Sequence, residues 1–173
     1  MIRRATEKDI PWIVNIYGKI FELEERGKVC TGWRKNIYPT EETAQDAFVK
    51  NELFVWEEDG RVLAAARINQ EQMPEYASCQ WTYHAPDSEV MVIHTLVVDP
   101  DFSGHGIGRK FVRFYEELAL KCDCHCLRID TNEKNVAARA LYRKLGYNER
   151  DVIPCIFNGI DGVQLVCLEK RLE

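Results

Sequence analysis

Residues 90–112 read VMVIHTLVVDPDFSGHGIGRKFV, and the order of residue types in this stretch decides the fold around it. Val90 to Val98 are nearly all apolar and rich in β-branched residues, the composition of a buried strand. Asp99-Pro100-Asp101 ends that strand, because proline cannot donate to a sheet ladder and restricts the residue before it. Next comes Ser103-Gly104-His105-Gly106-Ile107-Gly108, and behind it Ile107, Phe111, Phe114, Leu118 and Ala119 recur at helical spacing. Strand, tight turn, glycine loop and helix start follow in that order. Glycines at a helix start leave backbone N–H groups uncovered, and with the helix dipole they form an anion site. The stretch therefore predicts a phosphate-bearing ligand.

Several kinds of nucleotide binder share glycine loops. An NTPase phosphate loop needs Lys and then Ser or Thr after its last glycine. Here Gly108 is followed by Arg109-Lys110-Phe111, with no hydroxyl placed for magnesium. A dinucleotide fingerprint needs two residues between its second and third glycines, whereas Gly104, Gly106 and Gly108 alternate. A plain flexible turn is the remaining alternative for the loop taken alone.

A second stretch narrows the choice. Some thirty residues on, at 132–147, the chain reads NEKNVAARALYRKLGY: an asparagine opens a helix, Tyr142 follows Asn135 by seven residues, and Gly146-Tyr147 closes it. The pair of stretches resembles the GCN5-related N-acetyltransferases. In that family's acyl-CoA motif, Gln or Arg is followed by any two residues, Gly, any residue, and Gly or Ala. The matching positions here are Ser103, Gly104-His105, Gly106, Ile107 and Gly108. Ser103 departs from the pattern, keeping a short hydroxyl but losing a long contact to phosphate.

The resemblance implies a mixed, mostly antiparallel α/β (α+β) sheet with helices on both faces, in one domain over residues 1–173. It also implies acetyl-CoA as cofactor and a small-molecule or peptide amine as acceptor; a homodimer is common in the family. Cofactor contacts carried over by resemblance are Leu96, Val97 and Val98, whose strand bends at a bulge in the family, the loop Ser103, Gly104, His105, Gly106, Ile107, Gly108 and Arg109, and Asn135 and Tyr142. Tyr142, whose phenol titrates near 10 when unperturbed, is the expected general acid for the departing thiolate, and Asn135 serves cofactor contact or helix capping. His94 is the expected base, with Glu89 in reserve, and an amine arriving deprotonated would need neither. A CoA-binding sensor of the same fold, without turnover, is the rival reading.

Bulk properties agree with one ordinary globule: 173 residues, 46% hydrophobic and 29% charged. A net charge of -5 argues against a nucleic-acid partner. The N-terminal residues lack a signal-peptide core and no run approaches membrane-span length, so a cytoplasmic, non-membrane protein is expected. Cys122, Cys124 and Cys126 alternate, and Cys30, Cys79, Cys155 and Cys167 are scattered. Metal sites want two-residue gaps and a second ligand cluster, so reduced thiols and no metal are expected.

Elsewhere the pattern predicts a strand at 2–5, a helix at 7–26, and a loop at 30–39. A second helix at 40–51 follows, with a hairpin of 53–58 and 61–69 about Asp59-Gly60. The resemblance makes Phe21, Glu22, Glu24, Trp33 and Tyr38 candidate acceptor neighbours. Residues 70–89 show no period, and either fold over the acceptor pocket or make a surface excursion. Strands at 126–131, 147–157 and 163–169 and a helix at 135–145 complete the reading.

Overall fold

In the computed structural model, which describes residues 1–173, the apolar runs form strands β1 Ile2–Arg4, β2 Leu53–Glu58, β3 Arg61–Asn69, β4 Val90–Val98, β5 Cys126–Asn132, β6 Asn148–Phe157 and β7 Ile160–Arg171. The helices are α1 Ile10–Glu25, α2 Glu41–Val49, α3 Ile107–Lys121 and α4 Val136–Lys144. The strands make one seven-stranded sheet in the order β1-β2-β3-β4-β5-β7-β6. Every neighbouring pair is antiparallel except β4 with β5. Asp59-Gly60 and Asn158-Gly159 turn the β2–β3 and β6–β7 hairpins with both residues in the left-handed region, as hairpin twist favours.

The helices cover both faces, as the sequence implied. On one side α1 and α2 bring Ile13, Ile16 and Ala47 against Val55, Ala65 and Val97. On the other, Phe111 and Tyr115 of α3 and Tyr142 of α4 pack on Ala64, Met91, Ile93 and Leu127. The first helix differs slightly from expectation: residues Glu7–Asp9 form a 3-10 turn before α1. There the Asp9 carboxylate accepts from the Thr6 N–H at 2.7 Å and the Thr6 hydroxyl at 2.9 Å. No helix is long and apolar enough to cross a membrane.

The aperiodic residues 70–89 do the work of a missing helix. Their Tyr76 and Trp81 bury against Val90, Val92, Val163, Leu165 and Cys167, side chains that alternate away from α3. A polar clasp holds the segment down. Fully buried Glu169 on β7 accepts the N–H groups of Thr82 at 2.8 Å and Tyr83 at 3.3 Å, so its charge is desolvated but satisfied.

A second clamp fixes the exit of β4. Lys19 of α1 donates to both carboxylate oxygens of buried Asp99 at 2.8 Å and to Asp101 at 2.6 Å. It thereby ties α1 to the turn that carries the chain into the glycine loop. Lys19→Ala leaves the Asp99 carboxylate buried without a cation, and urea unfolding should report a loss of about 2 kcal/mol. Asp101→Ala removes only a solvent-screened contact and should cost under about 0.5 kcal/mol.

Candidate active site

The site begins where β4 and β5 separate. Their parallel pairing covers only Val90–Val92 against Cys126–Arg128. On its other edge β4 carries one residue too many, since Arg67 faces His94 while Ala65 faces Val97. The extra residue is absorbed as a bulge with Thr95 at φ 52. A β-branched residue there is strained by about 1–2 kcal/mol, so its surroundings must hold it. Tyr38 does so through a hydroxyl–hydroxyl hydrogen bond to Thr95 Oγ1. Thr95 and Leu96 consequently have no register partner on either neighbouring strand.

The parted strands enclose a cleft. Leu96, Val97 and Val98 form one wall, Asp130 and Asn132 the other, and Asn135 and Tyr142 of α4 close one side. Trp33, Tyr38 and Phe157 add aromatic surface. From Val98 the chain runs through the Asp99 turn into the glycine loop, where Gly104 (φ 81) and Gly106 (φ 75) are left-handed. Gly106 is the N-cap of α3 and no side chain caps it. The first helical bond runs from the Lys110 N–H to the Gly106 carbonyl at 3.0 Å. The N–H groups of Ile107, Gly108 and Arg109 thus have no intrahelical acceptor, and they sit at the positive end of the helix dipole. Ser103 and Arg109 are exposed beside them. His105 folds back, donating from Nδ1 toward the carbonyls of Phe102 at 3.1 Å and Ser103 at 3.0 Å. Gly108 lets α3 lie close to its neighbours, since a Cβ there would come 3.4 Å from Leu141 Cδ2.

Uncapped amides leading to an unpaired strand edge and a lined cleft suit a ligand with a phosphate end, an amide-bearing arm and a reactive tip. The residues present fit acyl-CoA on that ground. Asn135 caps α4, its Oδ1 accepting the Ala138 N–H at 3.2 Å, while also lining the cleft. Tyr142 is buried, and burial, then the charge of Asp130, pushes its phenol well above the usual range. It therefore stays a proton donor throughout the neutral range.

The structure brings Leu96, Val97, Val98, Asn135 and Tyr142 around one cleft, with residues 103–109 continuing from it. His94 is not among them. It shares the face of Val90 and Val92 and borders an adjoining chamber with Arg67, Glu71 and Asn158. Its Nε2 hydrogen bonds to Asn69 Oδ1 at 2.8 Å, and burial, then the Arg67 charge, pushes its pKa down to about 4. Glu89 is exposed at the paired end of β4, away from the opening.

Of the candidate acceptor neighbours, Trp33 and Tyr38 line the cleft, Phe21 is core and Glu22 is exposed. Glu24 is occupied in holding the loop above the cleft, accepting from the Thr31 N–H at 2.8 Å, the Thr31 hydroxyl at 2.7 Å and the Gly32 N–H at 3.1 Å. Asp130 escaped the sequence reading, although a lone carboxylate inside the apolar strand at 126–131 was a signal. It borders both the cleft and the His94 chamber. Burial is the main cause that pushes its pKa up to about 6, and the hydrogen bond from the Tyr76 hydroxyl at 2.6 Å opposes the rise.

An open sheet splayed at its one parallel pair, with a glycine-started helix beyond the splay, defines an α+β fold with a ligand cleft built into the sheet. The model described as the acetyltransferase (GNAT) family matches residues 19–147, and the chain belongs to that family. The family uses acetyl-CoA. An uncharacterised N-acetyltransferase of Methanocaldococcus jannaschii is 28% identical over 153 residues. That match covers 88% of this chain, which spans 62% of the length of that relative. A GNAT-family acetyltransferase from Streptococcus agalactiae superposes with a TM-score of 0.81 at 24% identity, covering 100% of this chain and 95% of the other. The Salmonella typhimurium protein yncA, whose structure holds its cofactor acetyl-CoA, superposes at 0.69 with 18% identity, covering 100% and 94%.

The buried imidazole gives a pH signature. Folded His94 resists protonation down to about pH 4, whereas an unfolded imidazole binds its proton near pH 6.5. Between those values the unfolded chain binds more protons, so this residue makes stability rise with pH. His94→Gln should remove about 2–3 kcal/mol of that rise, read as the difference between denaturant unfolding curves at pH 4.5 and 7 for variant and parent.

Proposed function

We propose that the chain transfers an acetyl group from acetyl-CoA to a primary amine, of a small molecule or a peptide, by direct transfer in a ternary complex. The observation that carries this reading is the continuity of three features. The unpartnered Leu96 backbone and the buried Tyr142 phenol line one cleft, and the free amides at the start of α3 lie next to it, with Gly108 beside Val98 and Leu141. Acetyl-CoA supplies the thioester carbonyl and a thiolate leaving group.

The remaining work falls to the chain's own residues. The amides of residues 104–109 take the diphosphate, with the Ser103 hydroxyl as a short-range addition and Arg109 as an exposed cation. The Leu96, Val97 and Val98 backbone pairs with the pantetheine arm as an added strand would, and its free N–H groups polarise the carbonyl. Asn135 fixes the start of α4, so that Tyr142 holds its hydroxyl in the cleft and gives its proton to the departing sulfur. His94 borders the acceptor chamber as a neutral imidazole, a hydrogen-bonding wall there and a weak base at pH 7. Tyr38, Thr95, Asp130 and Phe157 line both the cleft and this chamber, and that adjacency supports approach of the amine from that side.

Calorimetry with CoA and a thiol-release assay against a panel of primary amines test the reading together. Heat of CoA binding with release of thiol is expected. Binding without turnover across the panel would make the chain a CoA-binding module instead, and absence of heat at millimolar CoA sinks both. Tyr142→Phe should lower kcat by about 100-fold or more while leaving the CoA Kd within about twofold. Unchanged turnover would remove Tyr142 from its role.

A further inference from the structure

Resting on the transfer reading above, we propose that Asp130 receives the acceptor's ammonium group and takes its proton, that Tyr76 positions it, and that the acceptor is a primary amine on an apolar stem. Asp130 stands in the wall shared by the donor cleft and the adjoining chamber. It makes no ion pair. The arginine of that chamber, Arg67, is already engaged by Glu52 at 2.7 Å, Glu71 at 3.1 Å and Asp46 at 3.4 Å. Around Asp130 stand the phenols of Tyr38, Tyr76 and Tyr142, the Cys167 thiol opposite it on β7 and, in the adjoining chamber, neutral His94 and the already paired Arg67; the Glu75 carboxylate adds negative charge. One hydrogen bond, from the Tyr76 hydroxyl to Oδ2 at 2.6 Å, fixes the carboxylate, and Oδ1 accepts none from the chain.

Asp130 is half-buried, and a partly desolvated carboxylate without a paired cation is costly unless something positive arrives. A primary ammonium supplies that charge. The aromatic faces of Trp33, Tyr38 and Phe157 on the same cleft suit an apolar stem and add cation–π attraction. The same seclusion that makes the site attractive to a cation places the carboxylate's pKa near 6, well matched to a base working at neutral pH.

The protons balance. Asp130 Oδ1 takes one proton from R–NH3⁺, and the freed nitrogen lone pair forms the C–N bond as the C–S bond breaks. Tyr142 gives its proton to the leaving sulfur and recovers the second proton from nitrogen. Asp130 then releases its proton to water, so ammonium and thioester become amide, thiol and one H⁺.

The test uses 2-phenylethylamine as acceptor and follows kcat/KM against pH. In the parent chain kcat/KM should fall tenfold per pH unit below about pH 6. Asp130→Asn should lose at least 100-fold and lose that limb, with the CoA Kd within twofold of the parent. The folded pKa of Asp130 lies above its unfolded value, so its contribution to stability is present below about pH 4 and lost as pH rises through about 6. Asp130→Asn should therefore melt at a higher temperature than the parent at pH 7.5. Tyr76→Phe removes the donor that holds the carboxylate's pKa down, so its limb should move to higher pH, a shift that a packing role alone would not cause. Asp130→Asn within threefold of the parent and with the limb intact overturns the assignment while leaving the transfer reading standing. So does a Tyr76→Phe limb that stays in place. A parent chain that binds CoA but acetylates no amine of the panel overturns both.

Discussion

The rest of the structure depends on a single surplus residue. β4 has to match β3 on one edge and β5 on the other: the bulge at Thr95 and Leu96 interrupts its pairing with β3, which resumes at Val97 and Val98, while pairing with β5 ends at Val92. An unpaired strand inside a sheet would normally be an unsatisfied core, and here that cost is confined by specific supports. Tyr38 holds the strained Thr95, Lys19 anchors Asp99 just beyond the strand, and α3 and α4 close around Gly108. Sheet twist, helix placement and cleft shape follow from where those two strands stop pairing.

The features legible in the sequence are those with a local cause. The β-branched run of β4, the proline after it, the alternating glycines and the amphipathic α3 each announce themselves within a few residues, and the structure has them where the patterns put them. The two Asx-Gly hairpins were equally local. Illegible were contacts whose partners are far apart in the chain. Lys19 and Asp99 are separated by 80 residues, and Tyr76 and Asp130 by 54. Their pairing follows from topology, which no window of sequence contains. His94 shows the limit from the other side. Its position on β4 was evident, yet its lowered proton affinity depends on burial and on the charge of Arg67, and its hydrogen-bond partner is Asn69, both on the neighbouring strand.

The two ends of the cleft are built from different material. Toward the glycine loop, the groups on offer are main-chain amides, which a side-chain substitution cannot delete; Ser103 in place of a longer residue leaves that set intact. Toward Tyr38 and Asp130, the lining includes Thr31, Trp33 and Tyr38 from residues 30–39 and Glu71 and Met73 from residues 70–89, two segments outside the sheet and the four α-helices. Each is fastened by a carboxylate that accepts consecutive backbone N–H groups, Glu24 in one and Glu169 in the other. The sheet and loop they flank are shared as a fold with proteins of 18–24% identity.

The bulge also bears on how this chain tolerates length changes. Removing one residue at 95–96 would restore uninterrupted alternation along β4 against β3 and relieve the left-handed threonine. Such a deletion would make a more orderly ladder with β3, and it would take away a backbone position, Thr95 or Leu96, that lines the cleft. A shorter strand would be tidier and would face its neighbour across the cleft with one wall residue fewer.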